Sequence, residues 1–223
     1  MLQFYVTGKM RRDEELLMAK YDELILKMML QNNGYLHISQ LEALGYDRFK
    51  AYPSIKNLGL TRAARGVYCP ENMKPDKMYL VCSRASGVIL SHESSAFLHH
   101  LLLEEPDYVS VTIPHGYNTK YLTEKWVIPY QIGREWLDCG KVYMEDNYGN
   151  RVCAYDPERT ICDFIHEERY LRQKGNLSVD EAIRNYFSCY KKRNIPLLMD
   201  YAERFNIRRK AENYLRMYKK EEG

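Results

Sequence analysis

The chain has 223 residues, 45% of them hydrophobic, and a formal net charge of +3 from 33 basic and 30 acidic side chains. That length and apolar content fit one large or two small folded domains and exclude a largely disordered chain. No apolar run approaches the roughly 18 residues of a membrane span, and "MLQFYVTGKMRRDEE" lacks a signal peptide's apolar core and cleavage site, so a cytoplasmic protein without a membrane partner is expected.

The overall charge is too small to argue for nucleic acid, but its distribution is informative. Residues 45–68 hold Arg48, Lys50, Lys56, Arg62 and Arg65 against Asp47 alone, and residues 191–220 hold ten basic residues against three acidic ones. The six cysteines, Cys69, Cys82, Cys139, Cys153, Cys162 and Cys189, form no C-x-x-C pair, which excludes a zinc ribbon or thioredoxin-type motif and points to free thiols.

From Asp13 to Asn33, apolar residues recur at Leu17, Tyr21, Leu24, Ile25 and Met28, the spacing of one buried helix face, and Asn33-Gly34 ends the run. Ser39-Gln40-Leu41-Glu42 has the form of a capping box, which predicts a short helix starting at Ser39 and closing at Gly45. Asp47 can cap a third helical segment whose first turn exposes Arg48 and Lys50. Pro53 either kinks that helix or starts it as its first residue. Leu58 to Tyr68 then forms a tight hairpin in which Gly66 supplies the backbone freedom and Arg62 and Arg65 flank the turn. Helix, short helix, third helix and hairpin is the order of a winged helix-turn-helix, with the third helix in the major groove and the hairpin along the backbone.

Lys74-Pro75-Asp76 marks a domain boundary, giving residues 1–76 and 77–223. Beyond it, "DKMYLVCSRAS" predicts a helix, "GVIL" a buried strand and "HESSAFLHHLLL" another helix. Strands follow at "DYVSVTIP", "KWVIPYQI", "KVYMED" and "RVCAYD", the last two joined by a turn at Asn147 to Asn150. In "AYDPERTICDF", Asp156 caps, Pro157 takes the first helical position, and Arg159 and Asp163 pair at i,i+4. Asn206 is expected to cap a last helix with an apolar stripe of Ile207, Ala211, Tyr214, Leu215 and Tyr218. The fold class is therefore α+β: an N-terminal winged helix-turn-helix, then a mixed α/β domain with a helical C-terminal tail.

Enzyme motifs fail on inspection. "HESSAFLHH" would need histidine at Ala96 to match a zinc-protease helix, "GREWLDCGK" lacks the spacing of a phosphate-binding loop, and neither G-x-S-x-G nor a Gly-Ser dipeptide occurs. No enzymatic activity, cofactor or metal is expected.

In order and spacing, "LTRAARGVYCPE", "DKMYLVCSRASGVILSHESSAFLHHLL", "VSVTIPHGYNT" and "VCAYDPERTICDFI" resemble the AbiEi-type antitoxins of type IV toxin-antitoxin (abortive infection) systems. The resemblance spans nearly the whole chain. It implies a winged helix-turn-helix that binds inverted repeats in its own promoter, and a C-terminal domain that neutralises a nucleotidyltransferase toxin without a stable complex being required. DNA contact then falls to Arg62 and Arg65 on the hairpin and to Arg48, Lys50 and Lys56 around the third helix. Pro53 departs from the family's uninterrupted third helix. The basic last helix, with Arg208, Arg209, Lys210, Arg216 and Lys219, is the candidate antitoxin surface on grounds of charge alone. The alternative is an orphan winged-helix regulator whose second domain senses a ligand or dimerises.

Overall fold

The computed structural model describes residues 2–122, 124–173, 176 and 178–219, with the side chains of residues 2–14, Tyr121 and Lys219 outside that description. The protein is a mixed α+β chain with nine α-helices and two sheets among the described residues. It divides into two compact units, residues 1–76 and 77–223.

In the first unit a long helix, α1 (Leu2–Gln31), buries Tyr21, Ile25, Met28 and Met29. Leu17, expected on that face, is 41% exposed, and Leu16, Leu26 and Leu30 also face outward. The helix stops where Asn33 and Gly34 take positive φ angles of 48° and 86°, and the Gly34 amide closes back on the Met29 carbonyl at 2.8 Å. A two-residue strand, β1 (Leu36–His37), leads directly into α2 (Ile38–Ala43).

The predicted capping box does not form. Ser39 lies inside α2, the cap position is His37, and no side chain caps the helix. The helix starts earlier than Ser39: its first residue is Ile38, whose amide donates to the Gly66 carbonyl of the hairpin at 2.9 Å, so Ser39 is already helical and cannot take the extended cap position. Helix α3 (Arg48–Asn57) follows, then β2 (Leu60–Ala64) and β3 (Val67–Pro70). The three strands form an antiparallel sheet in the order β1-β3-β2, with a bulge between Arg62 and Ala64. Apolar packing among Ile25, Leu36, Leu41, Ala51 and Ile55 fills the unit, and the Asn57 side chain bonds Asp22 at 2.9 Å to fasten α3 to α1.

The second unit begins with α4 (Lys77–Arg84), β4 (Ile89–Leu90) and α5 (His92–Leu98). Helix α5 is shorter than predicted because His100 takes φ 58° and breaks it before Leu101. Strands β5 (Val109–Pro114), β6 (Val127–Ile132), β7 (Lys141–Glu145) and β8 (Arg151–Tyr155) complete a five-stranded sheet in the order β6-β5-β4-β8-β7. The β5·β6 and β4·β8 pairs are parallel, the other two antiparallel.

Four helices follow: α6 (Pro157–Gln173), α7 (Ser178–Arg184) continuing into a π-turn at Asn185–Cys189, α8 (Ile195–Arg204) and α9 (Arg208–Lys219). They are not a tail. Ile161, Phe164, Ile183, Leu198, Ala202 and Ala211 share one buried core with Ala96 and Leu101, so these helices build the interior of the unit. Asn206 does not cap α9. It takes φ 57° beyond the end of α8, where the Ile207 amide bonds the Ala202 carbonyl at 2.8 Å, and so it closes the preceding helix. All six cysteines are unbridged.

Candidate nucleic-acid interface

Helix α3 starts because Asp47, in extended conformation, accepts the Phe49 amide at 2.7 Å. It runs through Pro53, which sits six residues in and neither starts nor ends it. A proline there cannot donate to the Phe49 carbonyl four residues back. Both residues lie on the exposed side, with Phe49 68% accessible, so water can satisfy that carbonyl.

Ala51, Ser54 and Ile55 form the buried face, which leaves Arg48, Lys50 and Lys56 exposed. Arg48, Tyr52 and Lys56 succeed one another at i,i+4 along one edge of that surface, with Lys50 on the opposite edge. Arg48 makes a loose ion pair with Glu42 at 3.6 Å and lies 5.0 Å from the ring centre of Phe49. An exposed pair of this kind contributes little and is readily exchanged for another anion.

Gly66 takes φ 76° at the turn of the β2–β3 hairpin, a conformation costly for any residue with a Cβ, and open space around it leaves Arg65 projecting at the tip. Arg62 is also exposed. It stands directly across from Tyr68, and its Nε donates to the Ala64 carbonyl at 3.3 Å. Tyr68 is half-buried, and burial, then the neighbouring Tyr52 of α3, raises its pKa. All five predicted residues are exposed on α3 and its adjoining hairpin.

Two further residues belong to this surface and were missed from the sequence. Phe49 and Tyr52, 68% and 42% exposed, meet edge to face at 6.2 Å on the outer side of α3. Their spacing alone could not separate an outward pair from a core pair. The available signal was the smaller set of Ala51, Ser54 and Ile55, which suits close packing.

The predicted surface on α9 is less cationic than its sequence. Arg208 is held between Glu203 at 2.7 Å and Glu212 at 3.0 Å, Lys210 pairs with Glu168 at 3.1 Å, and Arg216 bonds Asn213 at 2.7 Å. Arg209 is exposed without an ion pair among the described residues. The Lys219 side chain lies outside the described residues. Elsewhere in this unit, His99 is committed to the Tyr155 carbonyl at 2.8 Å, and no group of three His, Cys, Asp or Glu side chains is placed to hold a metal among the described residues. No helix among them is long and apolar enough to cross a membrane.

No protein-family model and no curated protein matches the chain. Among solved structures it is similar to the crystal structure of the RV2827C protein from Mycobacterium tuberculosis, with 12% identity and a TM-score of 0.49 over 88% of this chain and 80% of that one.

Proposed function

We propose that residues 1–76 fold as a winged helix-turn-helix that binds duplex DNA. We further propose that the chain is a cytoplasmic antitoxin that represses its own operon and neutralises a nucleotidyltransferase-type toxin through residues 77–223. The observation that carries DNA binding is the exposure of Arg48, Lys50, Lys56, Arg62 and Arg65 on α3 and the adjoining β2–β3 hairpin. In this reading the N-terminal turn of α3 enters the major groove, with Phe49 and Tyr52 supplying apolar contact to base edges. Arg62 and Arg65 lie against phosphates or the minor groove. Because α3 begins at Arg48, Pro53 leaves the first turn of the reading helix intact.

The antitoxin half rests on the ordered set of segments that resembles the AbiEi-type proteins. Its test is growth rescue: the product of the neighbouring downstream gene is induced with and without this protein, expressed either in full or as residues 77–223. Rescue by residues 77–223 alone is expected. Rescue by full-length protein alone refutes the division of labour, and toxicity without rescue by either refutes the antitoxin reading in favour of a regulator whose second unit senses a ligand or dimerises.

A further inference from the structure

Helix α1 buries one face and leaves an apolar stripe on the other. Tyr21, Ile25 and Met28 are buried in the first unit, and α3 reaches α1 through Asn57 on Asp22 at 2.9 Å and Ser54 on the Met18 carbonyl at 3.3 Å. On the far side Leu16, Leu26 and Leu30 are 75%, 48% and 86% exposed. With exposed Ala19 and Glu23 they form the series 16, 19, 23, 26, 30, whose steps alternate between three and four residues. That is the spacing of the seam one helix presents to another.

The relief of the stripe matches that spacing. Leu16, Ala19, Lys20 and Glu23 frame a shallow depression, and their order of i, i+3, i+4 and i+7 is that of the hole which receives one side chain of a facing helix. Ala19, the smallest of the four, leaves the room. Beside the stripe the exposed charges alternate in sign along the chain as Lys20, Glu23 and Lys27. The Lys20 ammonium rests 5.6 Å from the Tyr46 ring centre, an exposed contact that is readily exchanged. A carboxylate in the middle of the stripe does not suit a lipid surface, and the remaining use of exposed leucines at this spacing is contact with protein.

We infer that α1 is a dimerisation helix and that its stripe is covered by α1 of a second copy of this chain, packed antiparallel. With the two helices crossing near Glu23, Leu26 of each copy enters the depression of the other, and Leu16 of each meets Leu30 of the other at the two ends. The overlap from residue 16 to residue 30 is about 21 Å long. Each Glu23 then lies between Lys20 and Lys27 of the other copy, so one patch supplies both sides of an isologous two-fold contact. A parallel copy sets Ala19 over the depression instead and leaves it unfilled. Because the stripe lies opposite Tyr21 and Ile25, the pairing leaves α3 free.

The test is sedimentation equilibrium of the full-length protein across the micromolar range, since so short an overlap belongs to the weak end of specific interfaces. The mass is expected to rise from one chain to two with concentration. Leu26→Asp and Leu16→Glu, both at exposed positions, are each expected to weaken the dimer by at least about tenfold, the scale of one lost interface anchor. Leu103→Glu, 82% exposed in the second unit, leaves it unchanged. Charge exchange reads the orientation: Glu23→Lys weakens self-association, and mixing that variant with Lys20→Glu/Lys27→Glu restores a dimer of wild-type affinity. A mass of one chain throughout overturns the proposal, as does a dimer indifferent to the Leu16 and Leu26 variants while their circular dichroism stays that of the wild type. It is equally overturned if the mixed variants associate no better than either alone.

Discussion

Removing Arg62 and Arg65 together measures the hairpin's share of DNA binding. Five exposed cations surround α3 and the β2–β3 turn, and each that neutralises a phosphate releases condensed counterions. With all five engaged, log K falls with log salt at a slope of about −4.5, so affinity drops about 500-fold between 50 and 200 mM salt. Arg62→Ala/Arg65→Ala leaves three contacts, a slope of about −2.7 and a loss of only about 40-fold over the same range. Arg48 joins the count at little cost, since its half-exposed pair with Glu42 at 3.6 Å exchanges readily for a phosphate. The assay is fluorescence anisotropy on a duplex from the protein's own upstream region and on a scrambled duplex, at four or more salt concentrations. The double variant should weaken both duplexes alike, while Arg209→Ala on α9 leaves the slope unchanged. Parallel lines for the wild type and the double variant would refute the hairpin's role, and a wild-type slope near zero would refute the interface altogether.

Other perturbations test the packing behind these surfaces. The folded pKa of His92 is depressed to about 3 from 6.5, so between those values the unfolded chain holds a proton that the folded chain does not. Stability should therefore fall as pH drops through that window, by at most about 5 kcal/mol from this group. Asn tolerates the positive φ of 46° that His92 holds, so His92→Asn should show a shallower loss in denaturant titrations from pH 6.5 to 3. Pro53→Ala restores the missing amide in α3 and should stabilise the first unit by about 2 kcal/mol, read as slower amide exchange along that helix. Gly140 holds φ 79°, and a Cβ there would lie 2.5 Å from that of Arg159, so Gly140→Ala should destabilise the second unit by about 3 kcal/mol or more in thermal melts.

Features set by neighbouring residues were legible from the sequence. Asp47 and Asp156 cap their helices, the Asp156 side chain accepting the Arg159 amide at 2.7 Å, and Arg159 pairs with Asp163 one turn on. All four longer strands of the second unit were legible too, from alternation and turn residues. What escaped depends on residues remote in the chain. Helix α2 begins at Ile38, whose amide is held by a hairpin carbonyl, so Ser39 falls inside it, and Asn206 was read as a start because the end of one helix and the beginning of the next share the same few residues. The depth of Arg159 was hidden as well. An i,i+4 ion pair suggests a solvated surface, whereas Tyr155, Phe205 and two loop carbonyls enclose this one.

The middle of the large sheet has a bearing on how the second unit assembles. Strand β4 is two residues long, yet it joins two pairs of longer strands, Ile89 and Leu90 facing Thr112 and Val111 on one side and Leu90 facing Ala154 on the other. The β7–β8 hairpin is local and can zip quickly, while the β4·β8 pairing must close a long loop before it gains anything. The sheet is thus expected to form as two halves that knit together late, with the Ile89 and Leu90 amides timing that event in pulsed hydrogen exchange. In sheets that fray from the outside, edge strands open first; here the line of least resistance runs through the centre.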